Sequence, residues 1–282
     1  MKLPKLLETP GVHEQKVREL FDGPKLHFEG DAPEFETPLV LLGFFNRSGS
    51  NLLGNYLRNL PGFSGFGEHL NWTVIQNTCK RKEVASFPDY FRSAQQARAR
   101  GHSHGYKASW DQLLMLRRFG IDRMYQGVKL IHIVRGDLVG QAISLVIARQ
   151  TAQWTSEQTG KEGIEPQYDA DQISTAMQAC CEAEMRMKLV CEMLGLDRLQ
   201  VSYEDLVAAP ETVMQRIGGF LGHDLSDWQP GEVGIRRQAS ELNDQWRARY
   251  LDDAAAALQA EAPDHDGQAR KPLLGGALFR TR

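Results

Sequence analysis

PLVLLGFFNRSGSNLLGNYL, residues 38–57, reads as a strand, a turn and a helix in immediate succession. The run 38–45 is short, apolar without interruption, and bounded by Pro38 and Asn46. That is the pattern of a strand buried on both faces of a parallel sheet. The helix starts at about Ser50, places Leu52, Leu53, Tyr56, Leu57 and Leu60 at helical spacing, and is closed by Pro61-Gly62. Such a unit turns backbone N–H groups and the positive end of a helix toward one point, where an anion fits. Ser48, Ser50 and Asn51 add short donors, Gly49 permits close approach of the backbone, and Arg47 supplies a planar cationic fork. Gly43 and Gly49 are one residue too far apart for GxxxxGK[ST], and no Lys follows Gly49, which disfavours a triphosphate–magnesium cradle. The alternative is an ordinary strand–turn–helix whose Ser and Asn only cap the helix.

On either side of this unit the same alternation continues. VKLIHIVR (128–135) is a second buried strand and LQVSY (199–203) a third. Asp137 is placed to cap a helix with Val139, Ala142, Ile143, Val146 and Ile147 on one face. Asp169 and Gln172 open a helix that runs through Ile173, Met177, Cys180, Met187 and Cys191 to a C-cap at Gly195. Pro210 starts another, carrying Val213, Met214, Ile217, Phe220 and Leu221. Residues 12–22 form a short helix and 23–38 a surface segment. Residues 63–104 show only weak patterns, with a helix around 89–100. Residues 151–168 are a polar, turn-rich loop, and the chain from Gln229 is polar with isolated apolar positions. Strands alternating with helices give an α/β class with a mostly parallel sheet. The expected divisions are an N-terminal extension (1–38), one main domain (39–250) and a C-terminal tail (251–282).

The 282 residues are 41% hydrophobic and 24% charged, which excludes collagen, coiled-coil and fully disordered classes. With 33 Lys and Arg against 36 Asp and Glu, the net charge of −3 argues against a general nucleic-acid binder. No apolar run approaches the ~20 residues of a membrane helix. The first residues contain no stretch long enough for a secretory signal. Cys79, Cys180, Cys181 and Cys191 show no CxxC spacing. Buried, reduced thiols and a cytoplasmic location are expected.

A second segment, HIVRGDLVGQAISLVIARQTAQW (132–154), puts Arg135 at a strand end and Ser144 about two turns into the next helix. In open α/β sheets ligands gather at the carboxyl ends of the strands, so Arg135 and the 46–51 turn can share one crevice. The alternative is an Arg135–Asp137 salt bridge with a solvent-facing Ser144.

Together FFNRSGSNLL and VRGDLVGQAISLVIARQTAQW, with GYKASWDQL (105–113), YEDLVAAPE (203–211) and RRQASELNDQWRARY (236–250), carry a family resemblance. The chain resembles the sulfotransferases that use 3′-phosphoadenosine 5′-phosphosulfate (PAPS), in the bacterial branch typified by trehalose 2-sulfotransferase, over about residues 39–250. The resemblance implies a P-loop-like three-layer α/β/α core and transfer of a sulfuryl group to a hydroxyl of a carbohydrate or glycolipid. The product would be adenosine 3′,5′-bisphosphate (PAP), with no metal required. It also implies a homodimer, and a glycolipid acceptor would bring the enzyme close to a membrane without an anchor. The competing classes are a P-loop kinase or NTPase, and a non-catalytic anion- or glycan-binding protein on the same fold.

Residue by residue, the resemblance puts Ser48, Gly49, Ser50 and Asn51 around the 5′-phosphosulfate with Arg47 beside the transferred group. Arg135 and Ser144 fall on the 3′-phosphate, Tyr203 near the adenine, and Arg236 and Arg237 in a late basic loop over the nucleotide. Glu68 aligns with the general base of the trehalose-type enzymes. His69 and His104 are further candidates, since imidazole suits base work near neutral pH. Lys107 either lines the site or is solvated. Trp110 and Trp154 either border a sugar or pack in the core.

Overall fold

The computed structural model describes residues 4–95, 102–154, 164–231 and 241–261. Among them is one five-stranded sheet, entirely parallel, in the order β2-β3-β1-β4-β5. Its strands are β1 (Leu39–Gly43), β2 (Phe63–Gly67), β3 (Ser103–Ala108), β4 (Val128–Val134) and β5 (Asp197–Ser202). The central strand β1 is buried at every position because both faces of the sheet are covered. Leu39 and Leu41 pack into one core with Tyr106, Leu130, Phe91 and Met115. Val40 and Leu42 face the other way, onto Leu53, Leu57, Ile131, Val213 and Ile217. The unbroken apolar run therefore conceals a two-residue alternation serving two cores.

One helical layer contains α1 (Val12–Leu20), α3 (Trp72–Lys82), α4 (Phe87–Gln95), α5 (Trp110–Arg118) and α7 (Ala170–Leu194). The other contains α2 (Ser50–Arg58), α8 (Tyr203–Ala208) and α9 (Pro210–Leu221). A third cluster joins α6 (Leu138–Thr151) and α7 to α10 (Glu241–Glu261) through Ile143, Val146, Ile173, Cys180 and Trp246.

The α/β class, the strands at 39–43 and 128–134, the Asp137 cap and the Gly195 C-cap stand as expected from the sequence. Several local expectations are corrected. The weakly patterned stretch contains β2, α3 and the first two residues of β3, and its expected helix around 89–100 is α4, which starts at Phe87. The segment 23–38 is not simply surface, since Leu26 and Phe28 are buried in the core. Tyr203 is the first residue of α8 rather than the end of a strand, because the Ser202 hydroxyl accepts from Asp205 N and caps a helix there. Cys181 is exposed while the other three thiols are buried. The polar C-terminal stretch contains α10, which runs through the position where the tail was expected to begin. Half of the loop expected at 151–168, residues 155–163, lies outside the described residues.

Beyond β1 the chain turns to β2 and β3 on one flank and then crosses to β4 and β5 on the other, so the direction of winding reverses at β1. Ligands of open α/β sheets bind at such a switch point, beyond the carboxyl ends of the strands.

Candidate active site

The turn between β1 and α2 is built from two left-handed residues, Arg47 (φ 66°) and Gly49 (φ 90°), the latter being the N-cap of α2. Gly49 is required twice over: by its φ, and because a β-carbon there would collide with the ring of Tyr203. Arg47 pays a conformational cost of roughly 1–3 kcal/mol for its φ, offset by ties around it. Gln141 Nε2 donates to Asn46 O (2.9 Å) and Arg135 Nη1 to Arg47 O (3.4 Å).

Arg135, at the end of β4, reaches that turn directly. Its guanidinium lies over the Tyr203 ring at 5.3 Å and pairs with Asp137 Oδ2 at 3.5 Å. The salt bridge weighed as an alternative therefore exists, alongside the contact with the turn. Arg47 Nε donates to Ser144 Oγ (2.8 Å) and its Nη1 to Trp154 O (2.5 Å). Ser144 is thus buried on Arg47 rather than facing solvent. Burial, and then the charge of Arg135, lower the Arg47 pKa. Two guanidinium groups share this corner with Asp137 as the carboxylate paired to Arg135, an arrangement that favours a bound anion.

The corner has an unexpected frame. Glu204, next to Tyr203, accepts from Gly136 N (3.0 Å) and Asp137 N (3.2 Å). Asp137 also accepts from Gly140 N (3.0 Å) and is ion-paired with Arg247 of α10. Those hydrogen bonds and the two arginines hold its carboxyl below the usual range against the opposing effect of burial. Sequence reasoning passed over Glu204 and Arg247. Both lie inside the matched stretches 203–211 and 236–250, which was the available signal. Arg236 and Arg237 lie outside the described residues.

Ser48 Oγ and Arg135 Nε are buried with no hydrogen-bond partner among the described residues, and both residues line a small cavity behind the turn with Phe45, His132 and Gln141. Unsatisfied donors beside a helix N-terminus fit phosphate oxygens.

On the other flank of β1 a second cluster forms. Lys107, on β3, is 2% exposed. Its ammonium donates to Asn51 Oδ1, lies 3.8 Å from Glu68 Oε1 and sits 5.2 Å from the centre of the Phe44 ring. Burial pushes its pKa down to about 8 against the opposing pull of Glu68. Glu68 itself is exposed, at the end of β2. His69 Nδ1 and His104 Nε2 are 3.2 Å apart, and His104 Nδ1 is 3.0 Å from Ser64 Oγ. The two histidines, separate candidates in the sequence, form one stacked pair. Burial, then Arg58 and Lys107, lower the His69 pKa and favour its neutral form. Trp110 packs against the core and under the Arg186 guanidinium (4.9 Å), and Trp154 is partly exposed.

A model of the Stf0 sulphotransferase family matches residues 40–253. Trehalose 2-sulfotransferase of Mycobacterium tuberculosis (strain ATCC 35801 / TMC 107 / Erdman) is 24% identical over 165 residues, which cover 53% of this chain and 61% of that protein. The aligned part thus spans less than two thirds of that relative. The sulfotransferase domain of the Synechococcus PCC 7002 olefin synthase has a TM-score of 0.48 at 18% identity, covering 84% of this chain and 99% of that one. A mouse sulfotransferase crystallised in complex with PAP has a TM-score of 0.42 at 12% identity, covering 83% and 69%.

Proposed function

The chain belongs to the Stf0 sulphotransferase family, and on that premise we propose that it moves a sulfuryl group from PAPS to a hydroxyl of a carbohydrate or glycolipid. One observation carries the choice of donor: the β1–α2 turn and the end of β4 meet, with Arg135 Nη1 on Arg47 O and Arg47 Nε on Ser144 Oγ. A doubly phosphorylated adenosine suits a crevice in which two guanidinium groups, a helix N-terminus and an aromatic ring converge. Tyr203, already against Gly49 and under Arg135, is the natural stacking surface for the base. The sugar class of the acceptor is supported by the trehalose 2-sulfotransferase relative.

The donor supplies an activated sulfuryl group on a phosphate leaving group. In the transfer an acceptor O–S bond forms and the S–O bond to phosphate breaks, releasing PAP. Glu68 takes the proton of the acceptor hydroxyl. It stands at the carboxyl end of β2, exposed to an incoming acceptor, with the Lys107 ammonium 3.8 Å away. The Lys107 ammonium, held by Asn51 Oδ1, neutralises charge at the reacting group, and the N–H groups of the turn stabilise the departing phosphate oxygen. The buried Ser64–His104–His69 chain favours a second assignment of the base, to His69.

Thermal unfolding with PAP, with ATP and with buffer, all without magnesium, tests the donor. PAP is expected to stabilise the protein more than ATP, by about 2.7 kcal/mol at 100 times its Kd. Arg135→Ala is expected to lose most of that gain. A parent protein indifferent to PAP, or an Arg135→Ala variant as responsive as the parent, overturns the donor site.

A further inference from the structure

Between β2 and α3 the chain makes the turn that carries Glu68 and His69, and three backbone groups there, His69 O, Leu70 O and Trp72 N, are held by side chains from other elements. Glu68 O accepts from Asn71 N (3.0 Å) within the turn. His69 O accepts from Tyr90 OH of α4 (2.7 Å), and Leu70 O from Gln112 Nε2 of α5 (3.0 Å). Asn71 Oδ1 accepts from Thr73 N (3.1 Å). Trp72 N, a free donor at the start of α3, donates to His13 Nδ1 of α1 (3.3 Å). Of these remote supports, His13 alone comes from before residue 40, where the family match begins.

Resting on the sulfuryl-transfer reading above, we infer that His13 is a positioning residue for the acceptor half of the reaction: by pinning Trp72 N–H it holds the turn that presents Glu68 and His69. The contact requires a lone pair on Nδ1, which places the imidazole proton on Nε2. Burial disfavours the imidazolium, and the facing carboxylates Asp111 and Glu68 oppose that effect. The helix bearing His13 is itself anchored. Glu14, 1% exposed, is ion-paired with Arg18 (2.7 Å) and with Arg118 of α5, and Arg118 Nη2 donates to Leu7 O (3.0 Å). At Gly11 a β-carbon would collide with the Asp111 carboxylate, so the start of α1 lies directly on the first turn of α5. A base displaced by an ångström loses orders of magnitude in rate, so a pin on its turn is read in turnover.

Two substitutions separate the roles of the ring. His13→Phe keeps a ring and removes the acceptor atom, whereas His13→Asn keeps an acceptor at the δ position. The readouts are hydrogen exchange at the Trp72 amide, PAP-induced stabilisation, and kcat and KM with trehalose as the acceptor probe. His13→Phe is expected to speed Trp72 exchange and lower kcat, each about tenfold, with PAP stabilisation at the parent level. His13→Asn is expected to restore most of both. Parent-like exchange in His13→Phe, parent-like kcat in that variant, a loss of PAP stabilisation along with kcat, or an Asn variant no better than Phe each overturns the inference. A parent that stabilises with PAP but leaves trehalose untouched tells against that acceptor, and a parent indifferent to PAP against the donor. In both cases Trp72 exchange still decides whether His13 pins the turn, and parent-like exchange in His13→Phe overturns the inference.

Discussion

Lys107 holds an ammonium group at the carboxyl end of β3 in surroundings that favour its neutral form, with a pKa lowered to about 8 by burial. Above that pH the folded protein has released a proton that the unfolded chain keeps up to about 10.5. The contribution of this group to stability therefore rises with pH from about 8 to 10.5, while turnover that needs the ammonium falls as pH passes about 8. Opposite slopes of kcat/KM and of the denaturation midpoint over that window are expected, and Lys107→Met should abolish both. Glu68→Gln should leave PAP-induced stabilisation intact and lower turnover by about 10²–10⁴. Undiminished turnover would assign the base to the His69–His104 pair. At this scale the sequence revealed which residue types stand near the strand ends but not their environments. A Lys in GYKASW reads equally as solvated or buried. Only the fold brings Phe44, Asn51 and Glu68 around it.

The start of α6 is where the proposed donor contacts and helix capping share the same groups. Asp137 caps Gly140 N and pairs with Arg135 and Arg247, while Glu204 holds the two N–H groups just before the helix. Asp137→Ala is expected to cost about 1 kcal/mol in urea denaturation, and Asp137→Asn to recover most of it by keeping the cap. This helix start was legible because Asp before an apolar stripe is a local signal. So were β1 and β4, whose residues are apolar on both faces. The strand β2 was not, because FSGFG bends through left-handed Gly65 and Phe66 and shifts register against β3. Nor was α10, which docks through Trp246 and shows little apolar stripe of its own. The Tyr203 misassignment has the same origin, since a strand and the first turn of a capped helix are continuous in LQVSYED.

Across the whole molecule, His132 links the sheet to acid sensitivity. It is buried on β4, and burial and then Arg198 lower its pKa to about 4, so it folds neutral. The unfolded chain binds that proton near pH 6.5. Folding stability should consequently fall as pH drops from about 6.5 to 4, by on the order of 3 kcal/mol, and His132→Phe should flatten that slope in pH-dependent urea melts. That Arg135 and the 46–51 turn share one crevice could be inferred from strand-end residues once a parallel sheet was granted. The long-range supports could not, since the link from α1 to the start of α3 joins positions 59 apart in the chain.

Because β1 has β3 on one side and β4 on the other, Lys107, Glu68 and the histidine pair stand on one bank of a central divide, and Arg135, Ser144 and Tyr203 on the opposite one. If the proposed assignment holds, a segment grafted from a relative over 63–109 would redraw the acceptor bank while leaving the nucleotide contacts proposed at Arg135, Ser144 and Tyr203 untouched. On the proposed reading, such an architecture would let acceptor preference change while the grip on activated sulfate stays fixed.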